Sequence, residues 1–250
     1  MKLRIQFTKH GAMKFIGHLD TMRFFQRAIR RSGIDIAYTG GFSPHPIMTF
    51  AQPLGVGIES DSEILDIDVN SFDVPVGNPI KFEQQFDDDE IHTIREHMIR
   101  VLSDQMSEGF LIRDIRLLPE KSDNAMASVA AAAYTVILPQ DRTGEVDLAE
   151  AVEHINASEE LYVIKKTKKS EMQIDIRPRI YDLNYSDGRA RMCVDASSAG
   201  NIKPELVISA MYEIMGADYP EMRLGITRNE IYGRDVNGDL KPLIEFGSYY

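Results

Sequence analysis

The chain has 250 residues, 43% of them hydrophobic, a net charge of -11 and a single cysteine, Cys193. That length holds one large or two small domains, and the apolar share supports a real core. One thiol excludes an intrachain disulfide and a zinc or iron–sulfur centre built from several thiolates of one chain, and it fits a reducing, cytoplasmic setting. No run of about 18 apolar residues is present to span a membrane.

Lys2 to Thr8 alternates, with Leu3, Ile5 and Phe7 on one side, and predicts a strand rather than the apolar core of a signal peptide. His18 to Arg31 predicts a helix whose buried stripe is Leu19, Met22, Phe25 and Ile29, stopped at Gly33. Ile34 to Tyr38, Ile47 to Phe50 and Glu63 to Val69 read as strands. A second helix is expected over Asp87 to Gln105, with Ile91, Ile94, Met98 and Val101 as its stripe, before a strand over Phe110 to Leu117. Strand, helix, two or three strands, helix, strand is the split βαβ pattern of a ferredoxin-like domain.

Pro119 to Ser128 is polar and aperiodic and reads as a linker. Beyond it the order repeats. Ala133 to Leu138 is a strand, Asp147 to Asn156 a helix and Leu161 to Lys165 a strand. A hairpin of Gln173 to Tyr185 with Ala190 to Asp195 turns at Ser186-Asp-Gly. Pro204 to Met215 is a helix stopped by Gly216, and Arg223 to Tyr232 is a final strand. The expected fold class is therefore α+β, as tandem ferredoxin-like domains over 1–118 and 129–236, with a loosely ordered tail over 237–250.

The acidic average, which argues against a generic nucleic-acid binder, hides a segregation of charge. Met1 to Gly55 carries Lys2, Arg4, Lys9, Lys14, Arg23, Arg27, Arg30 and Arg31 against only Asp20 and Asp35, and the acids gather from Glu59 to Glu90. On the first helix Arg23, Arg27, Arg30 and Arg31 fall within about a quarter-turn, with Asp20 on the same side. Four guanidiniums on one face suit phosphate or carboxylate groups, because each fork binds two oxygens. A solvated face, or one docked on the acidic segment Glu59 to Asp73, is the ordinary alternative.

The loop Tyr38-Thr-Gly-Gly-Phe-Ser-Pro-His-Pro is the least ordinary segment. Gly40 and Gly41 let backbone N–H groups approach an anion, and Tyr38 and Phe42 suit base stacking. Ser43 and His45 complete the candidate loop, and Lys9 and Lys14 complete the candidate anion or RNA site. Histidine with arginine is also a toolkit for acid–base work on a phosphodiester, so His18, His45 and Asp20 are the catalytic candidates, although none is assigned. His18 at a helix start suits a capping or core role better than catalysis. A second basic patch runs through Lys165-Lys-Thr-Lys-Lys to Arg177 and Arg179, beside Tyr181 and Tyr185. No G-x-G-x-x-G, Walker loop, H-E-x-x-H or C-x-x-C occurs, and no metal site is expected.

Several segments together are recognisable: Lys2-Leu-Arg-Ile-Gln-Phe-Thr-Lys, Phe15-Ile-Gly-His-Leu-Asp, Arg27-Ala-Ile-Arg-Arg-Ser-Gly, the Tyr38 to Pro46 loop, and Phe50-Ala-Gln-Pro-Leu-Gly-Val-Gly-Ile-Glu-Ser. Over about residues 2 to 69 they resemble the radical-SAM-linked protein family, bacterial proteins of unknown function encoded beside or fused to a radical SAM protein. Gly17 and Ser43 depart from that pattern, where serine and asparagine are more usual. The resemblance implies a radical SAM partner. Because radical SAM chemistry needs three cysteines for its cluster and this chain has one, the iron–sulfur cluster and S-adenosylmethionine would belong to that partner, leaving no cofactor here. A fold-level likeness to RNA-processing proteins of CRISPR systems adds RNA as a ligand. The expected function is an accessory protein, more a binding module than an enzyme, that binds RNA or presents a substrate to the radical SAM protein. The alternatives are a metal-independent endoribonuclease using His18 and His45, and a protein–protein adaptor.

Overall fold

A computed structural model of the chain describes residues 1–71, 88–119, 121–139, 146–166, 171–220 and 222–247. It is α+β and divides into two compact units, Met1–Val129 with Ile231–Tyr250, and Ala130–Glu230.

In the first unit β1 (Lys2–Lys9) leads through a 3-10 turn, Gly11–Phe15, into α1 (His18–Arg31). Then follow β2 (Asp35–Ile36), β3 (Met48–Phe50), β4 (Glu59–Ser71), α2 (Asp88–Ser103), β5 (Phe110–Leu118) and the one-turn helix α3 (Ala125–Ser128). β1 lies between β4 and β5, antiparallel to both, with Ile5 opposite Leu65 on one side and Ile115 on the other. β2 and β3 also pair with β4. Alternation along β1 sends Leu3, Ile5 and Phe7 to one face, where α1 contributes Phe25, Ala28 and Ile29 and α2 contributes Met98 and Leu102. Phe7 sits at the centre, its ring 4.5 Å from Phe25, 6.2 Å from Phe50 and 6.0 Å from Phe110.

The helical stripe needs one correction. Leu19 is 59% exposed, and Thr21, Phe25, Ala28 and Ile29 are the buried positions. At about 100° per residue Leu19 projects within roughly 20° of Arg30, on the polar face, whereas His18 and Thr21 project with Phe25. Gly33 stops the helix with φ +81, as expected. Of the strand expected over Ile34 to Tyr38 only Asp35–Ile36 is regular. The expected Ile91 contact lies outside the described side chains.

The segment expected as a linker holds α3, whose start is capped by the Asn124 side chain and whose Ala125 is fully buried. The second unit begins with β6 (Ala131–Ile137) and α4 (Leu148–Ala157). Asp147 caps α4 by accepting from the N–H groups of Ala149 and Glu150. Next come β7 (Tyr162–Lys166), β8 (Glu171–Asp175), β9 (Ile180–Ser186), β10 (Arg189–Asp195), α5 (Pro204–Ile214) and β11 (Gly225–Arg234). The strand expected over Gln173 to Tyr185 is broken, because Pro178 supplies no N–H and Arg177–Arg179 turns as a 3-10 segment. Among the described residues β7 and β8 pair with each other alone, and β10 lies between β6 and β9. Asp187 and Gly188, at φ 52 and 71, make the expected tight turn.

β11 passes from one unit to the other, its last four residues, Ile231 to Arg234, belonging to the first. There it pairs with β12 (Leu240–Pro242), which precedes a 3-10 turn, Leu243–Phe246. The sequence pattern suggests a loose tail here, but Leu243 and Ile244 are buried. Their anchor is Arg4, 1% exposed, which grips Asp66 through two 2.8 Å bonds and donates a third, of 2.9 Å, to the Leu243 carbonyl. No helix among the described residues is long and apolar enough to cross a membrane.

Candidate functional site

The residues with chemical potential gather where β1 ends. The last pairs of β1, Phe7 with Glu63 and Lys9 with Ser60, flank a register shift in β4. The chain then turns back through Gly11, whose φ of +57 favours glycine. The 3-10 turn is fastened to the segment before β4, because Gly57 N–H donates to the Lys14 carbonyl at 2.8 Å and Gly11 N–H to Glu59 Oε1 at 3.2 Å. Three of the recognisable segments, ending at Lys9, spanning Phe15 to Asp20 and spanning Phe50 to Ser60, therefore meet at one end of the sheet.

They enclose a recess. Its polar wall is Lys9, His18, Thr21 and Glu63, and its apolar wall is Phe7, Phe50, Pro53 and Leu54. Lys9 and Glu63 are 2% and 5% exposed, which is unusual for ionisable groups, and both look into the same space. Lys9 Nζ donates to the Ile16 carbonyl at 2.8 Å, which tethers the ammonium beneath the start of α1. His18 is the first residue of α1 and its ring stands edge-on to Phe50, centroids 5.2 Å apart. Thr21 donates its hydroxyl to the Gly17 carbonyl at 3.1 Å. Gly17 offers no side chain to cap the helix.

Beside the recess is a charged cluster. His10 lies 3.6 Å from Glu59 and 3.1 Å from Asp61, and Lys14 Nζ is 3.1 Å from Glu59. Burial pushes the Glu59 carboxyl up, but bonds from Lys14 and the Gly11 N–H, the Lys14 charge and His10 outweigh it and hold the group below its ordinary value. Lys14 also lies 5.5 Å over the Phe15 ring, so the cation expected for a ligand is engaged locally.

The arginine face forms on α1. Arg23 is 3.4 Å from Asp20, both well exposed, and Arg31 donates to the Gln105 side chain at 3.0 Å. Arg27 and Arg30 are exposed and make no ion pair or hydrogen bond among the described residues. The loop is closed by its own contacts. Tyr38 bridges Pro46, His45 N–H donates to Thr39 Oγ1 at 3.1 Å, and the His45 ring Nδ1 is 3.1 Å from the same hydroxyl. Gly41 has φ +101, and Phe42 at its tip is fully exposed. Gly40 and Ser43 are exposed in the same loop.

His18 lines the recess and His45 does not, so the two candidate imidazoles occupy different surroundings. Of the second basic patch, Lys168 and Lys169 lie outside the described residues. Arg177 is structural, donating to the carbonyls of Ser158, Ile180 and Asn156 at the end of α4. The sequence reading puts Lys9 among the candidate anion or RNA contacts and gives no site role to Thr21, Phe50, Pro53, Leu54 and Glu63. The available signal was helical phase, which puts His18 and Thr21 on the Phe25 side. Among the described residues no three of His, Cys, Asp and Glu come together to hold a metal ion.

Residues 2–204 match a family described as "Uncharacterized protein conserved in bacteria (DUF2344)". The match covers all of the recess, the arginine face and the loop. No curated protein matches the chain.

Proposed function

The chain belongs to the bacterial family DUF2344, and on that footing we propose that it is a cytoplasmic accessory protein that binds single-stranded RNA through its first unit and presents it to a radical SAM partner. The observation that carries the RNA reading is the pair Arg27 and Arg30, exposed on one helix face and unengaged among the described residues, in the unit that also exposes Phe42 and Tyr38. Guanidinium forks hold phosphates, and exposed rings on a fixed loop stack on bases of any sequence. The partner rests on the resemblance of residues 2 to 69 alone, and its cluster and S-adenosylmethionine would be its own. The loop and the arginine face form one surface in this reading. A tandem ferredoxin-like fold belongs to the same proposal, supported by the neighbours of β1 and β10 and by the position of β11 beside β6. Separate surroundings for His18 and His45 favour binding over cleavage.

The test is binding of a U-rich single-stranded RNA at several salt concentrations. Wild type should bind in a salt-sensitive manner, and Arg27→Ala with Arg30→Ala should lower the log–log slope by about 0.7 per lost phosphate contact. Phe42→Ala should weaken binding and leave the slope unchanged. Unaltered binding in the double variant, or no RNA bound at low salt with or without the partner, defeats the reading and leaves an adaptor.

A further inference from the structure

We propose that the outer edge of β7 pairs with the same edge of a second copy of this chain, joining both β7–β8 hairpins into one continuous sheet across a two-fold axis; the proposal is independent of the RNA reading. β7 and β8 form a sheet apart from the main one, and among the described residues no strand lies against the outer side of β7. An isolated two-stranded hairpin is marginal in water, and an unpaired edge is a template for a further strand. Burial alternates along the strand. Leu161 and Val163 are buried, whereas Tyr162 and Ile164 are 51% and 55% exposed, so one face of the hairpin packs inward and the other meets solvent.

The ladder shows which backbone groups are on offer. Ile176 N–H donates at 2.9 Å to the carbonyl of Leu161, which the hairpin register puts directly opposite. Bonded and non-bonded pairs alternate along an antiparallel ladder, so Val163–Ile174 and Lys165–Met172 are the next bonded pairs. Tyr162, Ile164 and Lys166 fall between them, and their N–H and C=O groups point away from β8 to the outer edge. Among the described residues no backbone partner meets the outward groups of Tyr162 and Ile164. These residues therefore present an exposed apolar side chain and an open donor and acceptor at once.

Residue types select the register and the occupant. A two-fold axis sets outward groups against each other only where it passes Tyr162, Ile164 or Lys166. At Lys166 it would oppose lysine to lysine, and at Tyr162 it would leave half of the pairing outside β7. At Ile164 it uses the whole strand. Ile164 exchanges both bonds with its own copy, and Tyr162 exchanges both with Lys166 of the second copy. No like charges are opposed, and the Ile164 and Tyr162 side chains of both copies gather on one face. The equivalent pairing of β8 about Gln173 would set Glu171 against Asp175, like to like. Pairing β7 with β8 of another copy would run head to tail and not close. β7 is five residues long, so the contact falls below the ~1,200–2,000 Å² of a standard interface and the dimer is a weak one.

Sedimentation velocity of the full chain, from low micromolar to near-millimolar concentration, should show a monomer passing to a dimer and stopping there. Hydrogen exchange over the same range should slow at the Tyr162 and Ile164 amides and stay unchanged at Val163, whose N–H the β7–β8 ladder already holds. Ile164→Pro deletes an N–H that has no place in that ladder, so the hairpin should survive it. The variant removes one donor from each copy and should weaken the dimer at least about tenfold. Ile164→Lys, which opposes like charges on the axis, should weaken it as well. Should the proline variant fail to fold by circular dichroism, the exchange pattern of wild type decides alone. A monomer at every concentration, a dimer that survives Ile164→Pro, or exchange at Tyr162 and Ile164 that ignores concentration overturns the proposal. An assembly that grows past the dimer also overturns it, because that is the mark of head-to-tail pairing. Protection of the same amides only when another protein is added assigns the edge to a foreign strand and overturns self-pairing.

Discussion

Replacing Leu243 by alanine isolates what the C-terminal segment contributes to the first unit. Leu243 is completely buried, and a Cβ placed on Gly233 would come within 3.1 Å of its Cδ1, so it packs directly on β11. Its carbonyl is a separate asset, accepting from Arg4 at 2.9 Å, and that bond survives truncation of the side chain. The loss is thus one of packing, about 2–5 kcal/mol for a buried leucine. Against a total stability of about 5–15 kcal/mol that is a large fraction. The protein has no tryptophan, so urea unfolding is best followed by circular dichroism. The midpoint should fall with little change in slope. Arg4→Met is the companion variant. It strands the Asp66 carboxylate, 3% exposed, and should cost about 3–5 kcal/mol, most of it regained by adding Asp66→Leu. A Leu243→Ala midpoint within about 0.5 kcal/mol of wild type refutes the reasoning and restores a loose tail.

Glu59, whose folded pKa is depressed below its ordinary 4.5, stabilises the fold above that pH, and the contribution is lost as pH falls through the folded value. Glu59→Gln should lower stability on the alkaline side of that window, alter little at its acid end and so flatten the stability–pH curve between them, as thermal melts between pH 3 and 7 would register. Gly109→Ala should destabilise by about 1–3 kcal/mol, because at φ +96 the new Cβ would lie 2.5 Å from the His10 carbonyl; unchanged melting would contradict it. Limited proteolysis should cut first between Pro119 and Asn124, before α3. Both chain ends belong to the first unit, so the two fragments should stay together in gel filtration and separate only on denaturation.

Much of the secondary structure was legible because local patterning and local stop signals agree. α1 has the bounds its periodicity and Gly33 imply, and the turn at Asp187-Gly188 is written in its residue types. Leu19 misled because it was assigned by residue type where helical phase puts it among the arginines. The tail misled for a different reason. Its order comes from Arg4, 239 residues away, and no local period reports such a partner. Glu63 looked like the polar start of a strand. Only the register of β4 against β1 puts it across from Phe7 and in company with Lys9, and registers between distant strands are not readable from one sequence.

The passage of β11 between units has a consequence for synthesis on the ribosome. Met1 to Val129 emerges first, yet its partner segment from Ile231 onward follows the whole of the second unit. At about 5–20 residues per second, the intervening Ala130–Glu230 delays completion by roughly 5–20 s. During that interval Arg4 and Asp66 lack the Leu243 carbonyl, and the surface later covered by Leu243 and Ile244 stands open to water or to a chaperone. The nascent chain should therefore close its last unit from its first and final residues together, and a stalled or truncated product should be the species that aggregates.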